Sequence, residues 1–442
     1  MSSKPVIVAA SFPASGHTNG PLQIASHLVS QGHKVYYIAS PSYKTAITSS
    51  GLVYVENPYD IPEAYLIARD QITDVAARMI SDMCHVFFDS TLPHHHLLSN
   101  TLSRARDENP GSEIIILHEM LYQGLMPFYY GAPLPRGFDK VPPVVNVSTS
   151  NNLAWEDGLP PFGPGMEYIP TEENKALWRA VYERMKQEHE GAHGYLNGIL
   201  EKLGCNGRVE GNIFSVWVEM GDVTLFPTSE STEYPRKKSD RVRYIGGLPL
   251  KKAAADWTFP EWWNRIENKG NKKVVFATQG TVRLGYDEMI LPTLRALADR
   301  EDFIVVATLG KRGAELEGEV PRNAIVVDYL PYDVMLPHTD VFVTNAGYNG
   351  FMHGIMNGTP MVVAGVDEDK AEVSNRAEYC GVAVNLRARM PSEQQIRDGV
   401  DKVLGNPGYK ARALELKREN EEMDSLRRVE LVIAELLART GR

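Results

Sequence analysis

Short runs of apolar residues recur along the chain, each closed by a small or polar turn. In the first half, residues 6–11, 34–39, 114–117 and 142–148 read as strands. Unbroken apolar runs, rather than alternation, are what strands covered on both faces carry. Between the first two runs, Leu22, Ala25, Leu28 and Val29 share one helical face and stop at Gly32, which predicts a helix over 21–31. This strand–helix–strand opening predicts a doubly wound sheet. Residues 151–166, rich in Pro and Gly, read as a loop, and 172–204, charged and poor in strand formers, as helix.

The alternation starts afresh near Val242. Residues 251–270 hold Trp257, Trp262 and Trp263 without a clear period and read as a linker and a helix. Strands are expected at 273–278, 303–308 and 324–329, a helix at 286–299, and charged helices at 392–404 and from 409 onward. The pattern predicts two α/β domains, 1–240 and 241–420, with 421–442 as a C-terminal helix packing back on the first. A ligand is expected between them, at the carboxyl ends of both sheets.

A length of 442 residues fits two cores better than one. The net charge of −10 argues against nucleic acid and anionic membrane surfaces as partners. Three widely spaced cysteines (Cys84, Cys205, Cys380) point away from a disulfide framework or a zinc site and toward a reducing, cytoplasmic compartment. The first apolar run is too short for a signal peptide, and no window approaches the roughly 18 apolar residues of a membrane span.

The densest chemistry lies in 340–386. A β-rich run from Val341 enters the small turn Asn345-Ala346-Gly347, a short helix stops at Gly358, and a strand at 360–364 opens into Asp367-Glu368-Asp369-Lys370. Such a turn aims free backbone N–H groups outward, and the helix dipole favours an anion there by about 0.3–1 kcal/mol. The acidic run, at the next strand end on the same edge, suits hydroxyl groups. A phosphate cradle beside a hydroxyl reader is what a nucleotide sugar needs.

Three other segments could carry chemistry. Ser15-Gly16-His17 follows the first strand, where His17 could accept a proton near neutral pH; a solvated capping turn would look the same. Leu117-His118-Glu119 ends a buried strand, where an acid could orient a histidine across the cleft; it also reads as two polar residues leaving for solvent. Ala277-Thr278-Gln279-Gly280-Thr281, at the first strand of the second domain, is a small turn with hydroxyls that suits phosphate oxygens; an ordinary strand-to-helix turn would look the same. Asp367-Glu368-Asp369 also matches a manganese-binding Asp-x-Asp pattern, but its place after a buried strand favours a hydroxyl-reading loop. His94-His95-His96 reads as an extended, solvated stretch. No G-x-G-x-x-G or Walker lysine pattern is present.

Taken in order, these segments resemble the family 1 nucleotide-sugar-dependent glycosyltransferases, which have the GT-B fold of two Rossmann-like domains with the active site in the cleft. Ser15-Gly16-His17 with Pro21 is similar to the family's Gly-His turn, and Gln279-Gly280-Thr281 to its phosphate turn. Tyr329-Leu330-Pro331 with Leu336-Pro337 resembles its nucleobase segment. Asn345 to Gly350 stands where the family has His-Gly-Gly or His-Cys-Gly, and Gly358-Thr359-Pro360 with Asp369-Lys370 where it has Gly-Val-Pro and Asp-Gln. Pro160 to Gly165 and Glu233-Tyr234-Pro235-Arg236 resemble a bacterial and fungal branch acting on small natural products.

The resemblance implies an inverting, metal-independent transfer without a cofactor, probed at these positions. His17 would take the acceptor's proton, backed by Glu119 or by His118 where the family has an aspartate. Thr281, Gly347 and Asn349 would cradle the diphosphate, with Thr278, Gly280, Asn345, Gly350 and Lys370 also at the donor. Tyr329 would stack on the base, Leu330 would offer its backbone to it, and Asp369 would accept from sugar hydroxyls. Three residues depart from the pattern: Asn345 for a phosphate-contacting histidine, Gly350 for a serine or threonine, and Lys370 for a glutamine. Lys370 could reach the sugar or phosphate, or pair with Asp367 or Glu368. The expected donor is UDP-glucose. The expected acceptor is a small hydrophobic phenol or polyketide lying against Phe12, Phe87, Phe88, Met120 and Tyr122. A UDP-sugar epimerase or hydrolase, or a non-catalytic binding protein, is the alternative on the same fold.

Overall fold

The computed structural model describes residues 4–69, 71–251, 257–280 and 285–440. Among them, strands β1 (Val6–Ala10), β2 (Val35–Ala39), β3 (Val53–Glu56), β4 (Ile114–Glu119), β5 (Val144–Val147), β6 (Val223–Phe226) and β7 (Val242–Tyr244) form one sheet in the order β3-β2-β1-β4-β5-β6-β7. A second sheet runs β10-β9-β8-β11-β12-β13, from β8 (Lys273–Thr278), β9 (Phe303–Thr308), β10 (Ala324–Val327), β11 (Val341–Thr344), β12 (Met361–Val363) and β13 (Ala383–Asn385). Every strand pair is parallel.

Both sheets are apolar on both faces because alternate residues of each strand enter different cores. In β4, Ile114 and Ile116 join one cluster. Ile115 and Leu117 join the other, against Leu22, Ile24, Ala25 and Leu28 of the helix Ser15–Ser30. The order of each sheet reverses once, between β1 and β4 and between β8 and β11. Neighbouring strands there send their chains to opposite faces, which opens a crevice at their carboxyl ends.

Several expectations are corrected. The first helix begins at Ser15, six residues before the apolar face starts, so His17 lies in its first turn. Gly16, Gly20 and Pro21 hid that turn, since glycine and proline disfavour helix interiors. The run near Val242 belongs to the first sheet as β7, beyond the expected boundary at 240. The helix expected at 286–299 is confined to Ile290–Ala296. His94-His95-His96 lies in the helix Thr91–Glu108, not an extended stretch, with His94 and His95 buried.

The chain crosses between the domains after β7 and returns after the helix Pro407–Glu422. In the helix Ser425–Thr440, Val429, Ile433 and Leu436 stand at helical spacing and pack into the cluster that holds Leu22 and Leu28 of the first domain. The two crossings touch. Gly247 N–H donates to Asn420 Oδ1 at 2.9 Å, and Ser425 Oγ donates to the Gly247 carbonyl at 3.0 Å. Gly246 has φ +86°, and a Cβ there would lie 2.5 Å from the Asn420 carbonyl oxygen, so glycine is required for this approach.

Candidate active site

The two switch points carry the residues singled out in the sequence. In the first domain, His17 follows β1 and Glu119 ends β4. Pro21, four residues after His17, has no N–H to offer the His17 carbonyl within the helix. Glu119 follows the parity of Ile115 and Leu117, so it shares the face that carries the His17 helix. His17 Nδ1 lies 3.0 Å from Glu119 Oε1. His118 has the opposite parity and binds Asn146 Oδ1 at 3.2 Å and the Tyr122 carbonyl. The structure therefore pairs His17 with Glu119 and keeps His118 in the core.

Glu119 is 0% exposed, and its charge is matched by donors. Its carboxylate accepts from Phe12 N–H and Leu121 N–H, each at 3.2 Å, and from the Thr149 hydroxyl at 2.8 Å. Burial alone would raise this carboxyl, but His17 and the hydrogen bonds hold it below its usual value. Burial likewise opposes a charged His17, yet Glu119, with Asp369 and Glu368 behind it, raises His17 above the ordinary 6.5. The His17 side chain is 24% exposed, and Glu119 engages Nδ1 rather than Nε2.

A pH prediction follows from the sign of that shift. Were His17 to act as a base it would have to be neutral, so activity should rise with pH along a limb centred above 6.5. Glu119→Gln removes the charge that raises His17. The limb should move to lower pH while the plateau falls, because the imidazolium formed in transfer loses its counter-charge. A pH profile of kcat/KM checks this; coincident limbs would assign the titration to another group.

In the second domain, Thr278 ends β8 and Gly280 follows it, and Asn345, Gly347, Asn349 and Gly350 follow β11, side by side at the switch point. Thr281 lies outside the described residues. Gly280 takes φ +79°, and its N–H donates to Thr278 Oγ1 at 3.3 Å. Asn345 Nδ2 donates to the Gln279 carbonyl at 2.6 Å, so the asparagine ties the two turns together. Ala346 has φ +57°, a conformation that costs a non-glycine residue about 1–2 kcal/mol. Gly347 then caps the helix Tyr348–Asn357 with no side chain in the way. Asn349 Nδ2 reaches the other domain and donates to the Gly16 carbonyl at 3.0 Å, one residue from His17. Leu330 is buried, and Tyr329 is 39% exposed with the Arg312 guanidinium 4.6 Å from its ring centre.

The acidic run meets the first domain. Asp367 pairs with Arg78 of the helix Val75–Asp82, and Glu368 with Arg69 at 3.1 Å and with Lys370. Asp369 Oδ2 accepts from Ser150 Oγ at 3.2 Å, and burial raises its carboxyl. The three carboxylates thus turn to different partners. Among the described residues no group of three or more His, Cys, Asp or Glu side chains converges on a point.

Of the residues assigned to the acceptor, Phe12 lies 5.7 Å from the His17 ring and 5.2 Å from Phe87, which in turn packs on Trp217 at 5.5 Å. Phe88, Met120 and Tyr122 have no exposed surface and serve the core; Tyr122 OH donates to the His94 carbonyl at 3.1 Å. Sequence reasoning missed Thr149 and Ser150, which touch Glu119 and Asp369. Three consecutive hydroxyl residues ending a strand beside β4 were the available signal. It also missed the buried Glu233–Arg376–Glu372 group that joins the domains, with Arg376 Nε 2.7 Å from Glu233 and Arg376 Nη1 3.2 Å from Glu372. Glu372 also accepts from the Gly163 and Gly165 amides at 3.1 and 3.0 Å, anchoring the 160–165 loop to the second domain.

Known proteins are similar to this chain in sequence and in fold. Residues 210–426 match the family model described as UDP-glucoronosyl and UDP-glucosyl transferase. The chain is 41% identical to UDP-glucosyltransferase 1 of Beauveria bassiana over 435 residues, covering 96% of this chain and 94% of the relative. It is 30% identical to UDP-glucosyltransferase A1 of Starmerella bombicola, covering 98% and 93%. Among solved structures, the glycosyltransferase of kitacinnamycin superposes with a TM-score of 0.70 at 21% identity, over 98% of this chain and all of that one. The chain belongs to the UDP-glucuronosyl and UDP-glucosyl transferase family and is a UDP-glycosyltransferase with the two-domain GT-B fold.

Proposed function

We propose that this UDP-glycosyltransferase moves glucose from UDP-glucose to a hydroxyl of a small hydrophobic acceptor, such as a phenol or polyketide, with inversion and without a metal ion. The observation that carries the reading is the His17–Glu119 pair at one switch point, linked across the cleft to the turns at the other through Asn349 and Gly16. His17 Nε2 takes the acceptor proton as the oxygen attacks the anomeric carbon. The bond from that carbon to the diphosphate oxygen breaks, and UDP leaves with the electron pair. Single displacement from the face opposite UDP inverts the anomeric centre.

On this reading the first domain holds the acceptor and the second the nucleotide sugar. The Gly347 backbone N–H and the N-terminus of the helix Tyr348–Asn357 receive the diphosphate. Tyr329 and Leu330 receive the uracil, and Asp369, now held by Ser150, receives sugar hydroxyls. The separate partners of Asp367, Glu368 and Asp369 support a hydroxyl-reading loop rather than a metal site. The names of the Beauveria and Starmerella relatives support glucose as the sugar. The free cysteines fit a cytoplasmic setting.

The test is mass spectrometry of reactions holding UDP-glucose, a panel of phenolic acceptors and EDTA. A hexose adduct is expected. Adduct formation only without EDTA would overturn metal independence, and glucose release without acceptor would mark a hydrolase. UDP binding without turnover of any nucleotide sugar would mark a binding protein.

A further inference from the structure

We infer that Thr149 is a positioning residue for the transfer base, its hydroxyl joining Glu119 in fixing the His17 ring so that the bare Nε2 stays turned toward the acceptor. The inference rests on the reading of His17 as base. Thr149 lies just beyond β5, the neighbour of β4 in the sheet. Three atoms form a nearly equilateral triangle: Thr149 Oγ1 is 2.8 Å from Glu119 Oε1 and 2.9 Å from His17 Nδ1, which is 3.0 Å from Glu119 Oε1.

The hydrogen count decides the roles. An ionised carboxylate only accepts, so the single Thr149 hydrogen is spent on Glu119. Toward His17 the hydroxyl then presents lone pairs alone. Nδ1 faces two acceptors and must itself carry the hydrogen, which leaves Nε2 as the basic nitrogen. Glu119 would select this tautomer unaided. Thr149 adds a second acceptor on another side of the N–H, which limits rotation of the ring.

Thr149 is itself held on both sides. Ser148 Oγ donates to the Ser150 carbonyl at 2.7 Å and lies 3.2 Å from the Ser150 N–H, which closes the turn around Thr149. Ser150 Oγ then donates to Asp369 of the other domain at 3.2 Å. One short segment thereby sets the base on one side and meets the sugar-reading loop on the other.

The test compares Thr149→Val, which keeps the shape and removes the hydroxyl, with Thr149→Ser and His17→Ala, each confirmed as folded by circular dichroism. Thr149→Val should lower kcat roughly threefold to tenfold, the range of one net hydrogen bond. Its acid limb should move to lower pH, because the imidazolium has lost an acceptor, while KM for UDP-glucose stays put. Thr149→Ser should restore both the rate and the limb. Wild-type kcat and limb in Thr149→Val would overturn the inference. So would a rise in donor KM with an unmoved limb, which would assign the hydroxyl to the sugar, or a serine variant as impaired as valine. Transfer surviving in His17→Ala would instead overturn the base assignment, a result separate from any Thr149 outcome.

Discussion

Replacing His17 with alanine is expected to lower transfer by roughly 10²–10⁴-fold, the usual contribution of a positioned base, with UDP affinity unchanged. The fold should survive, because the side chain is partly exposed and Glu119 keeps its donors from Phe12, Leu121 and Thr149. UDP affinity should hold because the donor turns meet the His17 segment through the Gly16 carbonyl and Asn349, which the substitution leaves in place. His17→Gln sharpens the test. Glutamine can still donate to Glu119 but cannot accept a proton near neutral pH, so it should be as slow as alanine. Single-turnover rates with UDP binding measured in parallel check both variants. A glutamine variant near the wild-type rate would mean that His17 orients the site and that the proton leaves by another route.

Arg376→Met is expected to destabilise the protein by about 3 kcal/mol, the lower end of what breaking a buried ion pair costs. Arg376, Glu233 and Glu372 are all buried, and the guanidinium lies 4.3 Å from the centre of the Tyr234 ring. Burial opposes the charge on Arg376, but Glu233, Tyr234 and Glu372 together hold it firmly cationic. Methionine fills much of the volume and leaves two carboxylates without their cation. The lower end of the range applies because Glu233 keeps the Asn152 and Tyr234 amides, and Glu372 keeps those of Gly163 and Gly165. Denaturant unfolding measures the loss, and Glu233→Gln in the Arg376→Met background should recover part of it. An unchanged midpoint would show that the pair's attraction only balances its desolvation. Since Arg376 lies in the helix Lys370–Tyr379, which starts beside Asp369, KM for the donor should also rise.

What could be read from the sequence was local. β8 and β9 match their expected spans residue for residue, because buried parallel strands are continuous apolar runs. The turns after β1, β8 and β11 stood out because small residues at strand ends have few other uses. β3 escaped because its residues are only partly buried at the sheet edge and it is short. The helix Thr91–Glu108 escaped because Pro93, three histidines and Asn100 have poor helix propensity, and packing on the first core overrides it. Arg78 and Asp367 are 289 positions apart, and no periodicity signals such a pair. The histidine's partner was undecided between neighbours until strand parity placed His118 and Glu119 on opposite faces.

The lacing of the two crossings at Gly247 bears on how the cleft can open. Two separate straps would let one domain both swing and slide against the other. Straps pinned together restrict the slide more than the swing. The contacts of Asn349 with Gly16 and of Ser150 with Asp369 would then loosen and close together, tying the sugar side of the cleft to the base side.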